Sequence, residues 1–332
     1  MKDDVLLSVD NLHVHFEMRK SNVYAVNGVS FSVKSGETFG IVGESGCGKS
    51  MTCKTILGLL KKPGKVTDGS IMFQDRQLVG LSQKQYNKIR GHEIGMIFQE
   101  PMTALNPLLK VKDQIYDALD PIEYKTKQDK HERALEMLKL VGIPSPEIRL
   151  EEYPHQFSGG MRQRVMIAIA LCSGLKLVIA DEPTTALDVT IQDQILKLLS
   201  DLKQKLDMSI ILVTHDLGVV AQMCDRVAVM YAGMAMELTD TVSLFYHPLH
   251  PYTDALIKTL PSANTVGREL DSIPGIPPNL TKEIASCPFA SRCRYATAQC
   301  YEKCPELVER KKGHWVRCFC ENMDEKLLGI RK

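Results

Sequence analysis

The sequence predicts an α/β fold: a mostly parallel core sheet, an antiparallel β patch near the N-terminus, an inserted helical subdomain and a Cys-rich C-terminal extension. Three observations predict it. Apolar strand-like runs alternate with helical patterns over much of the chain. A Gly-rich turn, GESGCGKS at residues 43–50, lies between a strand pattern and a helix pattern. Strand patterns then vanish between residues 100 and 174, where helical periodicity takes over. The 332 residues suffice for about two domains and a substantial core. A near-balance of 41 basic and 40 acidic residues, net +1, leaves no electrostatic footprint for nucleic acid. The start, MKDDVLLSVD, has acids where an export signal carries basic residues. The longest apolar run, VMIAIALC at 165–172, is far short of the roughly 20 residues that span a bilayer. The expectation is a soluble chain that, if it serves a membrane, docks on proteins that span it.

Taken in order, LLSVDNLHVHF and AVNGVSFSV alternate apolar and polar residues and predict the antiparallel patch. ETFGIV, 37–42, is a short apolar strand. The turn after it fits G-x-x-x-x-G-K-[ST] through Gly43, Gly48, Lys49 and Ser50, and residues 50–60 read as a helix. In that context Gly43, Gly46 and Gly48 let backbone N–H groups face phosphate oxygens. The helix start adds partial positive charge, Lys49 a full one, and Ser50 is placed to ligate Mg²⁺. Glu44, Ser45, Cys47 and Met51 complete the candidate ATP-binding segment. Cys47 lies beside Lys49 and a helix start, where a thiol pKa tends to fall; the other reading is a small residue filling a gap.

A third run, IGMIFQ, ends in Gln99, whose amide can orient water or metal. Residues 127–141 place Ala134, Leu138 and Val141 on one helix face. At 157–164 the chain reads FSGGMRQR: Ser158, Gly159, Gly160 and Met161 open a helical run whose N-terminal N–H groups suit anionic oxygens. The two glycine-bearing elements read as two halves of one ATP site. In LVIADE, 177–182, four apolar residues end in Asp181 and Glu182, as a buried parallel strand would when it brings carboxylates to its C-terminal edge. Asp181 can hold Mg²⁺ through water and Glu182 can polarise an attacking water; a solvated strand end fits equally. Ile191, Ile195, Leu198, Leu202 and Leu206 mark an amphipathic core helix. SIILV, 209–213, precedes Thr214, His215 and Asp216, where His215 can bond a γ-phosphate or the triplet can cap a helix.

Of 10 cysteines, six cluster late: Cys287, Cys293, Cys300, Cys304, Cys318 and Cys320. In a chain without an export signal such thiols bind metal more readily than they form disulfides. Cys287, Cys293 and Cys300, with five and then six residues between them, lack the paired C-x-x-C knuckles of common zinc sites. Four thiolates suit a [4Fe–4S] cluster or Zn²⁺, and unliganded thiols are a third reading. A liganded site would staple a Pro-rich extension with few long apolar runs.

Tyr24, GESGCGKS, Gln99, FSGGM, LVIADE, the ALD of residues 186–188 and His215, in that order, resemble the ATP-binding-cassette (ABC) ATPases over nearly all of residues 5–245. The resemblance implies a P-loop NTPase of the ABC ATPase type. It implies that Tyr24, 25 residues before Lys49 (49 − 24), stacks on adenine. It implies two chains head to tail, with Ser158, Gly159 and Gly160 reaching the γ-phosphate in the partner's loop and Asp188 meeting the opposing chain. Met161 departs from the usual Gln. Hydrolysis would proceed by in-line attack of water, with Glu182 as candidate base and Lys49, Mg²⁺, the partner's signature segment and His215 supplying electrostatic help. The helical insert, with the EPMTALNP loop after Gln99, would touch cytoplasmic helices of membrane-spanning subunits. Segments of residues 247–318, among them HPLHPYTDALIKTLP, SIPGIPPNL, CPFASRCRYATAQC and GHWVRC, resemble the extension of oligopeptide and dipeptide importer ATPases.

That second resemblance implies a cassette over 1–246, with its helical subdomain at about 100–174, and an extension over 247–332. It implies a [4Fe–4S] cluster on Cys287, Cys293, Cys300 and Cys318, with the fourth ligand open between Cys318 and Cys320. The implied partners are a second, related ATPase chain, two transmembrane permease subunits and, indirectly, an extracytoplasmic peptide-binding protein. The implied location is the cytoplasmic face of the membrane. A nickel importer's ATPase and a soluble ABC ATPase outside transport are the alternatives. The latter usually carries two cassettes or a long coiled coil, and this chain shows one cassette and no sustained heptads.

Overall fold

The structure, a computed structural model, describes residues 5–19, 21–100, 104–185, 187–260 and 272–328. In chain order the strands are β1 (Val5–Glu17), β2 (Asn22–Lys34), β3 (Thr38–Val42), β4 (Gly64–Phe73), β5 (Arg76–Gln77), β6 (Ile94–Ile97), β7 (Leu177–Asp181), β8 (Ser209–Thr214), β9 (Arg226–Tyr231), β10 (Met234–Asp240), β11 (Val308–Lys311) and β12 (His314–Val316). The helices are α1 (Lys49–Ile56), α2 (Gln83–Tyr86), α3 (Val111–Ala118), α4 (Lys127–Leu140), α5 (Pro146–Arg149), α6 (Gly159–Leu171), α7 (Val189–Lys205), α8 (Leu217–Met223), α9 (Thr241–Tyr246), α10 (Pro251–Lys258), α11 (Ala298–Glu302) and α12 (Met323–Leu328). They form two compact units, one drawn from residues 1–34, 38–80 and 214–332, the other from 35–37 and 81–213. Among the described residues no helix is long and apolar enough to cross a membrane.

In the first unit β1 pairs antiparallel with β2 and β4, and β4 with β5. The alternation that predicts this patch has one phase slip. Leu7 and Val9 point inward, then Leu12 and Val14, because the register shifts between Val9 and Leu12 around Asn11, whose φ is +46°. An extra residue there keeps all four side chains in the core. Beside this patch β3 runs parallel to β9, and β9, β10, β12 and β11 follow antiparallel. The extension therefore adds β12 along β10 and β11 outside β12, which its short polar segments do not announce. They are anchored by the buried contact of His314 Nε2 to Glu237 Oε1 at 2.7 Å. Glu237 also accepts the backbone N–H groups of Leu249 and His250, at 2.6 and 3.0 Å.

The second unit carries the parallel strands β6, β7 and β8, with Met96 opposite Ile179 and Ile179 opposite Ile211. All five residues of β7 are buried, as a strand covered on both faces requires. Its helices α3 to α6 come from the strand-free stretch. α4 opens on a capping box, Thr126 Oγ1 accepting from Asp129 N at 3.1 Å and Asp129 Oδ2 from Thr126 N at 3.0 Å. Its inward face, Ala134, Met137 and Leu138, followed by Val141, is fully buried. Burying each larger apolar side chain is worth about 1.5–3 kcal/mol.

Candidate functional site

The first unit holds the phosphate loop. β3 feeds it and α1 leaves it, as the motif requires. At Gly48, φ is +98° and a Cβ would lie 2.5 Å from the carbonyl oxygen of Ala25. A Cβ at Gly43 would overlap the carbonyl oxygen of Met230, so the backbone threads where only glycine fits. Ser45 and Gly46 are exposed, while Ser50 and Met51 open α1 half-buried. Lys49 is 4% exposed and its Nζ donates to the carbonyls of Gly43 at 2.7 Å and Glu44 at 3.0 Å. At Cys47 the structure decides between the two readings. It is 4% exposed, and burial pushes its thiol up from 9.0, outweighing the attraction of Lys49. The gap-filling alternative describes it.

Tyr24 is half-buried, its ring edge-on to His15 with centroids 4.5 Å apart and its N–H bonded to the carbonyl of Leu280 at 2.8 Å. The extension thus touches the strand that presents the candidate adenine-stacking ring. His215 is exposed, and Asp216 rather than His215 caps α8, accepting from Gly218 N at 2.7 Å. The capping alternative applies to the triplet but not to the imidazole.

The second unit holds the acids and the signature segment. Asp181 ends β7 at 4% exposure. Glu182 follows in the left-handed region, φ +49°, its N–H held by the carbonyl of Val213 at 2.9 Å. Such a conformation in a non-glycine residue persists only where the surroundings enforce it, and it turns the carboxylate out of the strand's alternation. Glu182 Oε2 accepts from Gln99 Nε2 at 2.8 Å and Thr185 Oγ1 at 2.9 Å. Two residues singled out separately in the sequence, Gln99 and Glu182, are in direct contact. Thr185 joins them unannounced.

Ser158 caps α6, its Oγ accepting from Met161 N at 3.3 Å. Gly159 is exposed with open space where a Cβ would stand, and a Cβ on Gly160 would come within 3.1 Å of Ile191 Cγ2. Buried Gln163, which the sequence reading passed over, ties α6 to the turn after the acids by donating to the carbonyl of Pro183 at 2.6 Å. Asp188 caps α7, accepting from Ile191 N at 2.9 Å. Ala186 lies outside the described residues, as do residues 101–103 of the EPMTALNP loop.

In the extension, Cys287, Cys293, Cys300, Cys318 and Cys320 line one cavity of about 150 Å³. Cys304 stands apart, its Sγ 3.8 Å from Met234 Sδ. Burial pushes the Cys287 thiol up to about 12 and that of Cys318 up to about 11. Among the described residues no three His, Cys, Asp or Glu side chains are placed to hold a metal ion. Neither the [4Fe–4S] cluster nor the Zn²⁺ expected at these thiols is therefore matched by a ligand group among the described residues.

Comparison with known proteins gives this geometry its class. Residues 26–185 match the family model "ABC transporter", and residues 236–300 match "Oligopeptide/dipeptide transporter, C-terminal region". A solved neighbour is the ATP-binding cassette MJ0796 in a dimeric post-hydrolysis state bound to ADP and Pi. It has TM-score 0.63 and 29% identity, covering 71% of this chain and 98% of that one. Among curated proteins, the dipeptide transport ATP-binding protein DppD of Bacillus subtilis is 52% identical over 96% of this chain and 95% of its own length. The oligopeptide transport ATP-binding protein OppD of the same organism is 49% identical over 96% and 90%. OppD of Escherichia coli is 46% identical over 95% and 93%. The chain belongs to the family of ABC transporter ATP-binding proteins, in its oligopeptide and dipeptide branch, and is an ATPase.

Proposed function

We propose that this ATPase energises import of dipeptides or oligopeptides through a pair of membrane-spanning permease subunits, at whose cytoplasmic side it docks. One observation carries the reading. The relatives named for peptide transport align over nearly the whole chain, so the likeness includes the extension as well as the cassette. A second, related ATPase chain and an extracytoplasmic peptide-binding protein complete the assembly in this reading.

In the chemistry we assign, the N–H groups of residues 43–50 and the Lys49 ammonium hold the ATP phosphates, and Tyr24 stacks on adenine. Ser50 in one unit, and Asp181 and Gln99 in the other, carry the oxygen donors that Mg²⁺ requires. Gln99 keeps its Oε1 for that task because its Nε2 is given to Glu182. The ion, when bound, neutralises phosphate charge. Glu182, turned out by its left-handed backbone and steered by Gln99 and Thr185, accepts the proton of the attacking water. His215 meets the γ-phosphate. Ser158, Gly159, Gly160 and Met161 offer their helix start to the nucleotide of the opposing ATPase, with Asp188 beside them. Glu182→Gln should leave ATP binding intact and slow hydrolysis about 10²–10⁴-fold, the usual contribution of a general base. Turnover equal to the parent removes Glu182 from that role. Association is tested by which transmembrane chains co-purify with the protein, and a ribosomal or DNA-repair complex in their place overturns the transport reading.

The thiol cavity supports a [4Fe–4S] cluster on Cys287, Cys293, Cys300 and Cys318, with Cys320 as the competing fourth ligand. Several thiols lining one cavity are the donor type that iron–sulfur clusters and zinc share. Such a cluster would staple the extension. Protein purified anaerobically should carry iron and labile sulfide; their absence overturns the cluster.

A further inference from the structure

We infer that Arg292, in the extension, is a positioning residue for the phosphate loop, holding the Glu44 carboxylate away from the ATP phosphates. The inference rests on the reading of residues 43–50 as the ATP loop and adds to it a residue far away in sequence. Arg292 ends the 3-10 turn Ala290–Arg292, and its side chain is 4% exposed. Nη1 donates to Glu44 Oε2 at 2.9 Å and to the Tyr231 hydroxyl at 3.1 Å. Nη2 donates to Glu44 Oε1 at 3.1 Å and to the carbonyl of Ile273 at 3.0 Å. Nε donates to the carbonyl of Pro274 at 2.9 Å. Every N–H of the guanidinium is thereby used, and the fork grips both carboxylate oxygens, a geometry that Lys cannot reproduce. The plane is also packed by aromatic rings, its carbon 5.6 Å from the Tyr231 centroid and 6.0 Å from that of Phe289.

Glu44 needs such a partner. It is the second residue of a loop whose task is to gather negative phosphate oxygens, and an unpaired carboxylate there repels them. The loop backbone at this point is held twice more, Glu44 N–H donating to the Tyr252 hydroxyl at 3.0 Å and its carbonyl accepting from Lys49 at 3.0 Å. The extension also supplies Phe289, which packs under Arg292 and lines the thiol cavity, so its order bears on the loop.

The test uses the full chain, with binding of the magnesium complex of a non-hydrolysable ATP analogue read by calorimetry and ATPase KM and kcat read in parallel. Arg292→Ala should weaken analogue binding about tenfold or more, as loss of a charged hydrogen-bond pair does, raising KM far more than it changes kcat. Adding Glu44→Gln to Arg292→Ala should recover most of that loss, because the repelling charge is gone. Arg294→Ala, a change of the exposed neighbouring cation, should bind as the parent does. Binding by Arg292→Ala equal to the parent overturns the inference, and so does a double variant no better than Arg292→Ala, since repulsion by a bare Glu44 carboxylate requires the rescue. If Arg292→Ala lacks a cooperative melt, Arg292→Lys decides, with weakened binding expected and unchanged binding fatal. A parent that does not bind the analogue removes the ATP-loop reading and this inference together; a binding parent with an indifferent Arg292 removes only the latter.

Discussion

At the scale of single residues, the loop glycines show how far a motif carries. The spacing of Gly43, Gly48, Lys49 and Ser50 is legible in the sequence because phosphate binding demands those residue types at those intervals. That Gly48 faces the Ala25 carbonyl is not legible, since the approach is made by a distant strand. Gly48→Ala should cost about 1–3 kcal/mol through its positive φ and that contact, measured by thermal or urea denaturation. Cys47 shows the opposite case, where a local rule points the wrong way. Proximity to Lys49 suggests a reactive thiolate, but desolvation wins and raises the thiol above 9.0. Iodoacetamide labelling of Cys47, followed by peptide mass spectrometry, should rise about tenfold per pH unit between about 7 and 9, the range in which the thiolate is the minor form. A rate that levels off near pH 7 contradicts the burial argument. Bound ATP should slow the labelling further.

At the scale of elements, long periodic segments read well and short ones do not. The helix expected at 50–60 stops at Ile56. Gly58 takes φ +61°, with Gly58 N–H bonding the Thr55 carbonyl at 2.9 Å and Leu59 N–H that of Lys54 at 2.8 Å. That is a Schellman stop, and the glycine was its visible sign. α4 matches its reading to within a residue because apolar spacing, a Thr cap and Gly142 all agree. Thr126→Ala removes the cap and should cost about 1 kcal/mol, seen as a lower melting temperature; an unchanged midpoint contradicts the assigned role of the capping box. β11 and β12 escaped notice because VERK and HWV are too short and too polar to alternate convincingly. The pairing of β12 with β10, outside which β11 lies, is decided by tertiary contacts such as His314 to Glu237.

At the scale of the whole molecule, the sequence motifs divide between the two compact units, with the phosphate loop, Tyr24 and His215 in one and Gln99, the acids and the signature segment in the other. Linear order did not reveal that division, since each unit is assembled from separated stretches of chain. The extension belongs to the unit of the phosphate loop, and its buried His250 ties it to solution conditions. Burial pulls that imidazole down to about 3, and its Nδ1 accepts Tyr252 N–H at 3.0 Å. A folded pKa below the unfolded value of 6.5 means full stability above about pH 6.5 and progressive loss as pH falls toward 3, because the unfolded chain takes up the proton first. Denaturation midpoints should therefore drop below pH 6.5, and His250→Gln should flatten that acid limb; an unchanged slope would remove His250 as its source. The seam of β12 along β10 has a consequence for how the protein is made. On the ribosome β10 emerges many residues ahead of its neighbour, with its outer backbone groups unpaired. A nascent chain halted before residue 314 is thus a species able to zip onto another of its kind, and completing synthesis is what withdraws that opportunity.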